Sequence, residues 1–188
     1  MKLIKKYTIK IPKNICVLYF EKQKLLTISG PLNKKSIILD LKISVLNEIK
    51  TIFITKNSFY VSNKKKTKKL RGTLVSRIKQ IILECSVNIT KKLKLSGVGF
   101  KISKIQSYDN ELLQLKLGYT HLIFFKTNIK NIKIFCLKST KLFIFGNSYY
   151  NVNQLAAKIK SYKEPDPYKG KGILYENENI ILKEGKKI

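Results

Sequence analysis

The sequence predicts an α+β fold of two tandem, similar domains, each an antiparallel-rich β-sheet packed on one α-helix. Three observations carry this. The first sixty residues alternate apolar and polar side chains with period two, as in a sheet with one face buried and one wet. From Lys68 to Cys85 the apolar spacing changes to three and four. Then the order of strands followed by a helix begins again.

Taken in order, residues 7–11 read as a strand closed by Pro12. Residues 15–20 and 24–29 read as two more, separated by Glu21-Lys22-Gln23, with Gly30-Pro31 as the stop. Residues 36–39, 51–55 and 58–62 complete the β-rich segment, with Asn57 at the turn between the last two. Leu70, Leu74, Val75, Ile78, Ile81, Ile82 and Cys85 then form one helical stripe. The lysine run at residues 64–69 before it reads either as an exposed loop or as a phosphate contact.

In the second half, residues 93–105 alternate again, broken by Gly97-Val98-Gly99. Residues 111–117, 121–125, 132–137 and 141–145 are further strands. Asn147 is placed to cap a helix whose stripe is Val152, Leu155, Ala156 and Ile159, and which must end before Glu164-Pro165. Leu25-Leu26-Thr27-Ile28 pairs with Leu112-Leu113-Gln114-Leu115, and Leu74-Val75 with Leu155-Ala156. These offsets of roughly 85 residues predict an internal duplication. The expected domains are 1–88 and 89–188.

The chain carries 39 Lys and Arg against 11 Asp and Glu, a formal net charge of +28. Such a body repels itself unless a polyanion is near. Nucleic acid is the leading partner, and an anionic membrane surface the alternative. All the basic residues except Arg71 and Arg77 are lysine. Lysine suits phosphates as a point charge, whereas bidentate base reading prefers arginine, so backbone and shape are the expected targets. Hydrophobic residues at 44% supply a core, and no run reaches the ~18 consecutive apolar residues of a membrane span. Cys16, Cys85 and Cys136 form no CxxC pair and sit among apolar neighbours, so they read as small buried hydrophobes in a reducing compartment. Lys, Ile, Asn, Phe and Tyr make up just over half of the chain, which points to an A+T-rich coding genome.

The C-terminal stretch places Pro165-Asp166-Pro167 before Tyr168-Lys169-Gly170-Lys171-Gly172-Ile173. The prolines enforce extended chain, the glycines permit close backbone approach, and the lysines supply charge. Tyr168 offers a ring for stacking.

This segment closely resembles the signature of the family of ribosomal protein six of the large subunit. Leu95-Ser96-Gly97-Val98-Gly99-Phe100 resembles its glycine-pair strand. Leu117-Gly118-Tyr119-Thr120-His121 resembles one of its turns, and Leu70-Arg71-Gly72-Thr73 the start of its first helix. Gln154-Leu155-Ala156-Ala157-Lys158-Ile159-Lys160 resembles its last helix, and Lys183-Glu184-Gly185-Lys186-Lys187 its ending. Phe100 stands where Tyr is usual, Leu174 where Arg is usual, and Lys replaces Arg widely. Residues 36–66 match only in pattern. The resemblance implies a structural constituent of the large ribosomal subunit. It implies binding to large-subunit ribosomal RNA through the second domain and its basic tail, near the factor-binding and sarcin-ricin region and the stalk base. Neighbouring ribosomal proteins and translation factors would lie nearby. The expected RNA-binding residues are Lys163, Tyr168, Lys169, Gly170, Lys171, Gly172, Lys183, Lys186, Lys187, Gly97, Gly99, Lys158 and Lys160. The match reaches residue 2, so no presequence is expected, and an organelle-encoded mitochondrial protein is favoured over a plastid or A+T-rich bacterial one.

Catalysis is not expected. His121 is the sole histidine, so neither a His-based triad nor a His-rich metal site can be assembled. Glu164, Asp166, Glu176, Glu178 and Glu184 lie in the most basic stretch, where counter-ion roles are expected. The glycine-lysine segments lack the spacing of nucleotide-cradling loops. No cofactor, metal or small-molecule substrate is expected. Most of the ten Tyr and nine Phe are expected in the core.

Overall fold

Runs of period-two alternation form antiparallel strands, because that spacing puts alternate apolar side chains on one face. The computed structural model describes residues 7–46, 49–59, 63–107, 110–126 and 131–185. The chain forms two compact units, Met1–Asn88 and Ile89–Ile188.

In the first unit, β1 (Thr8–Lys10), β2 (Cys16–Phe20), β3 (Leu25–Ser29), β4 (Lys34–Ile38), β5 (Leu41–Leu46) and β6 (Thr51–Ser58) precede α1 (Lys64–Ser86). The strands form two sheets, ordered β1-β6-β5 and β2-β3-β4. One core draws on both sheets and α1, with Leu26, Ile28, Leu41, Ile52, Ile54 and Ile78 fully buried.

The second unit contains β7 (Ile89–Ser96), β8 (Lys101–Ser107), β9 (Asn110–Lys116), β10 (Ile123–Lys126), β11 (Ile132–Lys138), β12 (Lys141–Gly146), α2 (Tyr149–Ser161) and β13 (Gly172–Tyr175). Its sheets are β11-β12-β7-β13 and β10-β9-β8. Strand for strand, β7 corresponds to β1, β8 to β2, and so on to β12 and β6; the order within each sheet is the same. The fold is thus α+β with two similar units, and β13 is the second unit's addition.

Several expectations need correction. Strand β5 is not among the expected strands, because only Leu39 and Asp40 separate it from β4 and the two read as one apolar run. Asn57 lies inside β6 and not at a turn, since the ladder to β5 continues as far as Leu41 opposite Ser58. The strand expected at 58–62 falls mostly outside the described residues. The lysine run at 64–69 is the first part of α1, not a loop: lysine is a good helix former, and hydrophobic periodicity cannot register it. Ser148, not Asn147, occupies the cap position of α2. Cys85 is buried, but Cys16 is exposed and Cys136 half-buried. Among the described residues, Tyr7, Phe100 and Phe125 are the buried aromatics, so most aromatics are not core. Ile and Leu fill the interior instead.

Candidate nucleic-acid interface

The 165–172 segment is a folded loop. α2 stops at Ser161, as the restricted residue before Pro165 requires. The Asp166 carboxylate then accepts hydrogen bonds from the backbone N–H of Tyr168 (3.0 Å) and Lys169 (3.4 Å). The N–H of Gly170 donates to the Asp166 carbonyl (2.8 Å), and the Asp166 N–H to the Lys171 carbonyl (3.0 Å). Gly170 has φ of 66°, a conformation that L side chains rarely adopt. A Cβ on Gly172 would lie 2.5 Å from Pro165 Cα, so the close approach this glycine permits is to its own chain. Gly172 is buried and shapes the loop from beneath.

From Gly172 the chain pairs with β7, Gly172 opposite Ser96 and Tyr175 opposite Leu93. Ile173 is fully buried and its N–H donates to the Lys163 carbonyl (2.9 Å). Burying that side chain contributes about 1.5–3 kcal/mol. Because β13 starts beside Ser96, the loop shares the end of the sheet with the Gly97-Val98-Gly99 turn. There Val98 is 92% exposed. The ring of Phe100 packs against both Gly97 and Gly118, so a second turn joins the same end. In that turn Tyr119 donates its hydroxyl to the Tyr162 carbonyl (3.1 Å), stacks on His121 (5.7 Å), and receives the Lys163 ammonium over its ring (4.3 Å).

Three segments far apart in sequence thus form one surface. Lys169 and Lys171 are exposed on it, and Tyr168 is 57% exposed. Lys183 is exposed, and its N–H donates to the Pro167 carbonyl (2.9 Å), folding the tail onto the loop. Lys186 and Lys187 lie outside the described residues. Gly97, Gly99, Gly170 and Lys163 belong to the same surface. Lys158 stands apart, exposed on α2 with its ammonium 5.6 Å from the Phe125 ring centroid. Lys160 serves the fold: its ammonium bonds both Glu178 oxygens (2.6 and 2.7 Å) and sits over the Tyr175 ring (4.8 Å). That hydrogen bond from Lys160 holds the Glu178 carboxyl below its ordinary value, against a smaller opposing effect of desolvation. The other oxygen-bearing neighbour, Glu176, pairs with Lys92 (3.1 Å).

Tyr119, not among the expected binding residues, joins this surface, and His121, which reads from the sequence as a turn residue bonded locally or facing RNA, stacks on its ring. Sequence reasoning missed Asp166 as the residue that fixes the loop. Among the described residues no group of three His, Cys, Asp or Glu side chains could hold a metal ion, and no helix is long and apolar enough to cross a membrane.

No protein-family profile matches the chain. Individual relatives do. The chain is 35% identical over 181 residues to the large ribosomal subunit protein uL6 of Mycoplasmoides gallisepticum, covering 95% of this chain and 92% of the relative. It is 38% identical over 165 residues to the uL6 protein of Mycoplasma genitalium, covering 86% and 84%. It is 32% identical to that of Parvibaculum lavamentivorans over 190 residues, covering 100% and 99%. The chain belongs to the uL6 family. These relatives are named as proteins of the large ribosomal subunit.

Proposed function

We propose that the chain is a structural constituent of the large ribosomal subunit and binds large-subunit ribosomal RNA through the loop end of its second unit. The observation that carries this is the loop at 165–172. The amides of Asp166, Tyr168, Lys169 and Gly170 are engaged internally, which orders the loop before binding, while Lys169, Lys171 and Tyr168 are exposed. Pre-ordering cuts the entropic cost of docking. The uL6 relatives support the ribosomal setting. Within the subunit we place this end near the factor-binding and sarcin-ricin region and the stalk base, supporting translation. The A+T-rich composition favours a mitochondrial ribosome; a bacterial cytoplasm is the alternative that cell fractionation would reveal.

A salt titration of the purified chain against large-subunit RNA tests the central reading. If about eight phosphates are engaged, log K falls against log salt with a slope near −7. A slope near zero would remove the proposal. Liposome co-sedimentation that survives excess RNA would instead favour an anionic membrane surface.

A further inference from the structure

The sheet β11-β12-β7-β13 has one face covered and one bare. Ile134, Leu142, Ile144, Leu93 and Ile173 point to the core beneath α2. The opposite face carries Phe135 (48% exposed) and Leu137 (61% exposed) on β11, with Phe143 and Phe145 half-buried on β12. The register aligns them. Phe135 lies opposite Phe143, which lies opposite Lys92; Lys133 opposite Phe145; Lys141 opposite Lys94. A groove of about 420 Å³ runs over this face between Lys92, Lys94, Leu137 and Lys141.

The corresponding face of the first unit is different. There the register sets Ser44 and Thr8 on either side of Phe53, and Leu46 opposite Thr51, with Thr51, Thr55 and Lys10 nearby. Hydroxyls surround the ring of Phe53 there. An exposed aromatic strip signals a ligand.

We propose that this bare face is a second RNA contact, which stacks unpaired bases on Phe135 and Phe143 while Lys92, Lys94 and Lys141 hold the flanking phosphates. The inference rests on the reading that the chain binds ribosomal RNA. Two features select the occupant. A protein interface excludes lysine from its centre, whereas here Lys92 and Lys133 share the cross-strand rows of the rings. A duplex offers phosphates but hides the π-faces, whereas unpaired bases offer both charge and rings. Glu176 also lines the groove and pairs with Lys92 in an exposed contact that a phosphate would displace.

The test uses the full chain and an unstructured RNA of about 12 nucleotides, the scale of a single-strand site. Replacing Phe135 and Phe143 together by Thr should weaken binding at least about tenfold, since stacking on each ring is worth that order. The salt slope should stay unchanged, because no phosphate contact is lost. Phe135→Tyr with Phe143→Tyr should restore affinity. Lys92→Ala with Lys94→Ala should reduce the slope by about 1.4, two phosphates at about 0.7 each. Binding within twofold of wild type for the Thr pair, with an unaltered thermal melt, overturns the inference. If the Thr pair does not fold, ultraviolet cross-linking of the wild-type chain decides. Cross-links at Phe135 or Phe143 support the face; cross-links confined to the loop at 165–172, or a protein cross-linked there in the intact subunit, overturn it. Wild-type chain that fails to bind large-subunit RNA at all refutes the ribosomal reading itself, a result distinct from these.

Discussion

Among the described residues strand β1 ends its sheet, paired with β6 alone, whereas its counterpart β7 is flanked by both β12 and β13. The two units otherwise repeat one topology. The second has taken the edge its twin leaves open and laid its own C-terminal segment there. An open edge is a row of unpaired N–H and C=O groups, so the added strand satisfies them. It also delivers the lysine loop to a fixed place beside the Gly97-Val98-Gly99 turn. The second unit thus keeps the strand order of the first and adds one edge strand, while its helix is shorter, 13 residues against 23.

The sharpest way to break this comparison is charge reversal at matched sites. Lys169→Glu with Lys171→Glu should abolish incorporation into large subunits on a sucrose gradient, or weaken RNA binding by at least about a hundredfold, given two lost phosphate contacts and new repulsion. The same change at Lys64 and Lys65, at the start of α1, should cost far less. Equal losses would show that both units bind alike.

A smaller effect tests the edge itself. Gly172→Ala sets a Cβ against Pro165 and should detach β13, costing about 2–4 kcal/mol through lost packing of Ile173 and strain. Hydrogen exchange should then rise at the β7 amides that face β13 and leave the first unit unaltered. Unchanged protection of β7 would mean that the strand contributes nothing to the sheet.

The first unit has its own internal pin. Arg71 is 5% exposed, donates to the Ile54 carbonyl (2.7 Å) and stacks on Tyr7 (3.8 Å). Arg71→Lys keeps the charge but loses the planar stack, so about 1–2 kcal/mol of stability should go, from the first unit's melt alone. A loss shared equally by both melts would contradict that assignment.

The gentlest contrast is pH. Glu178 has its carboxyl held low by Lys160, so the folded state binds its proton less readily than the unfolded chain. The stability from this pair is complete above the ordinary carboxylate value near 4.5 and is lost as pH falls through the lowered folded value. Glu178→Gln should remove that dependence at a cost of about 0.5–1 kcal/mol, the range of a partly exposed pair. An acid limb in the melting curve identical to wild type would refute the role.

Much of this was readable from alternation and stripe. The strands at 15–20, 132–137 and 141–145, and the stripes Leu74-Val75-Ile78 and Leu155-Ala156-Ile159, follow from the pattern because burial of one face is the only way those side chains leave water. The repeat was visible in Leu25-Leu26 against Leu112-Leu113 for the same reason. Strand β13 was not visible: Gly172-Ile173-Leu174-Tyr175 is four residues after two glycines, too short to carry a period. The use of Lys160 was equally hidden, since nothing local distinguishes it from Lys158.

The sequence by itself determined the two-unit architecture, the positive charge and the lysine-glycine loop, because periodicity, composition and chain stiffness are local properties. The tertiary structure decided which lysines are bound to carboxylates and which face outward, that Gly172 packs on Pro165, and that Tyr119 packs on Tyr162 and Lys163. Those outcomes depend on strand register across gaps of about eighty residues, and register is set by how the whole core closes.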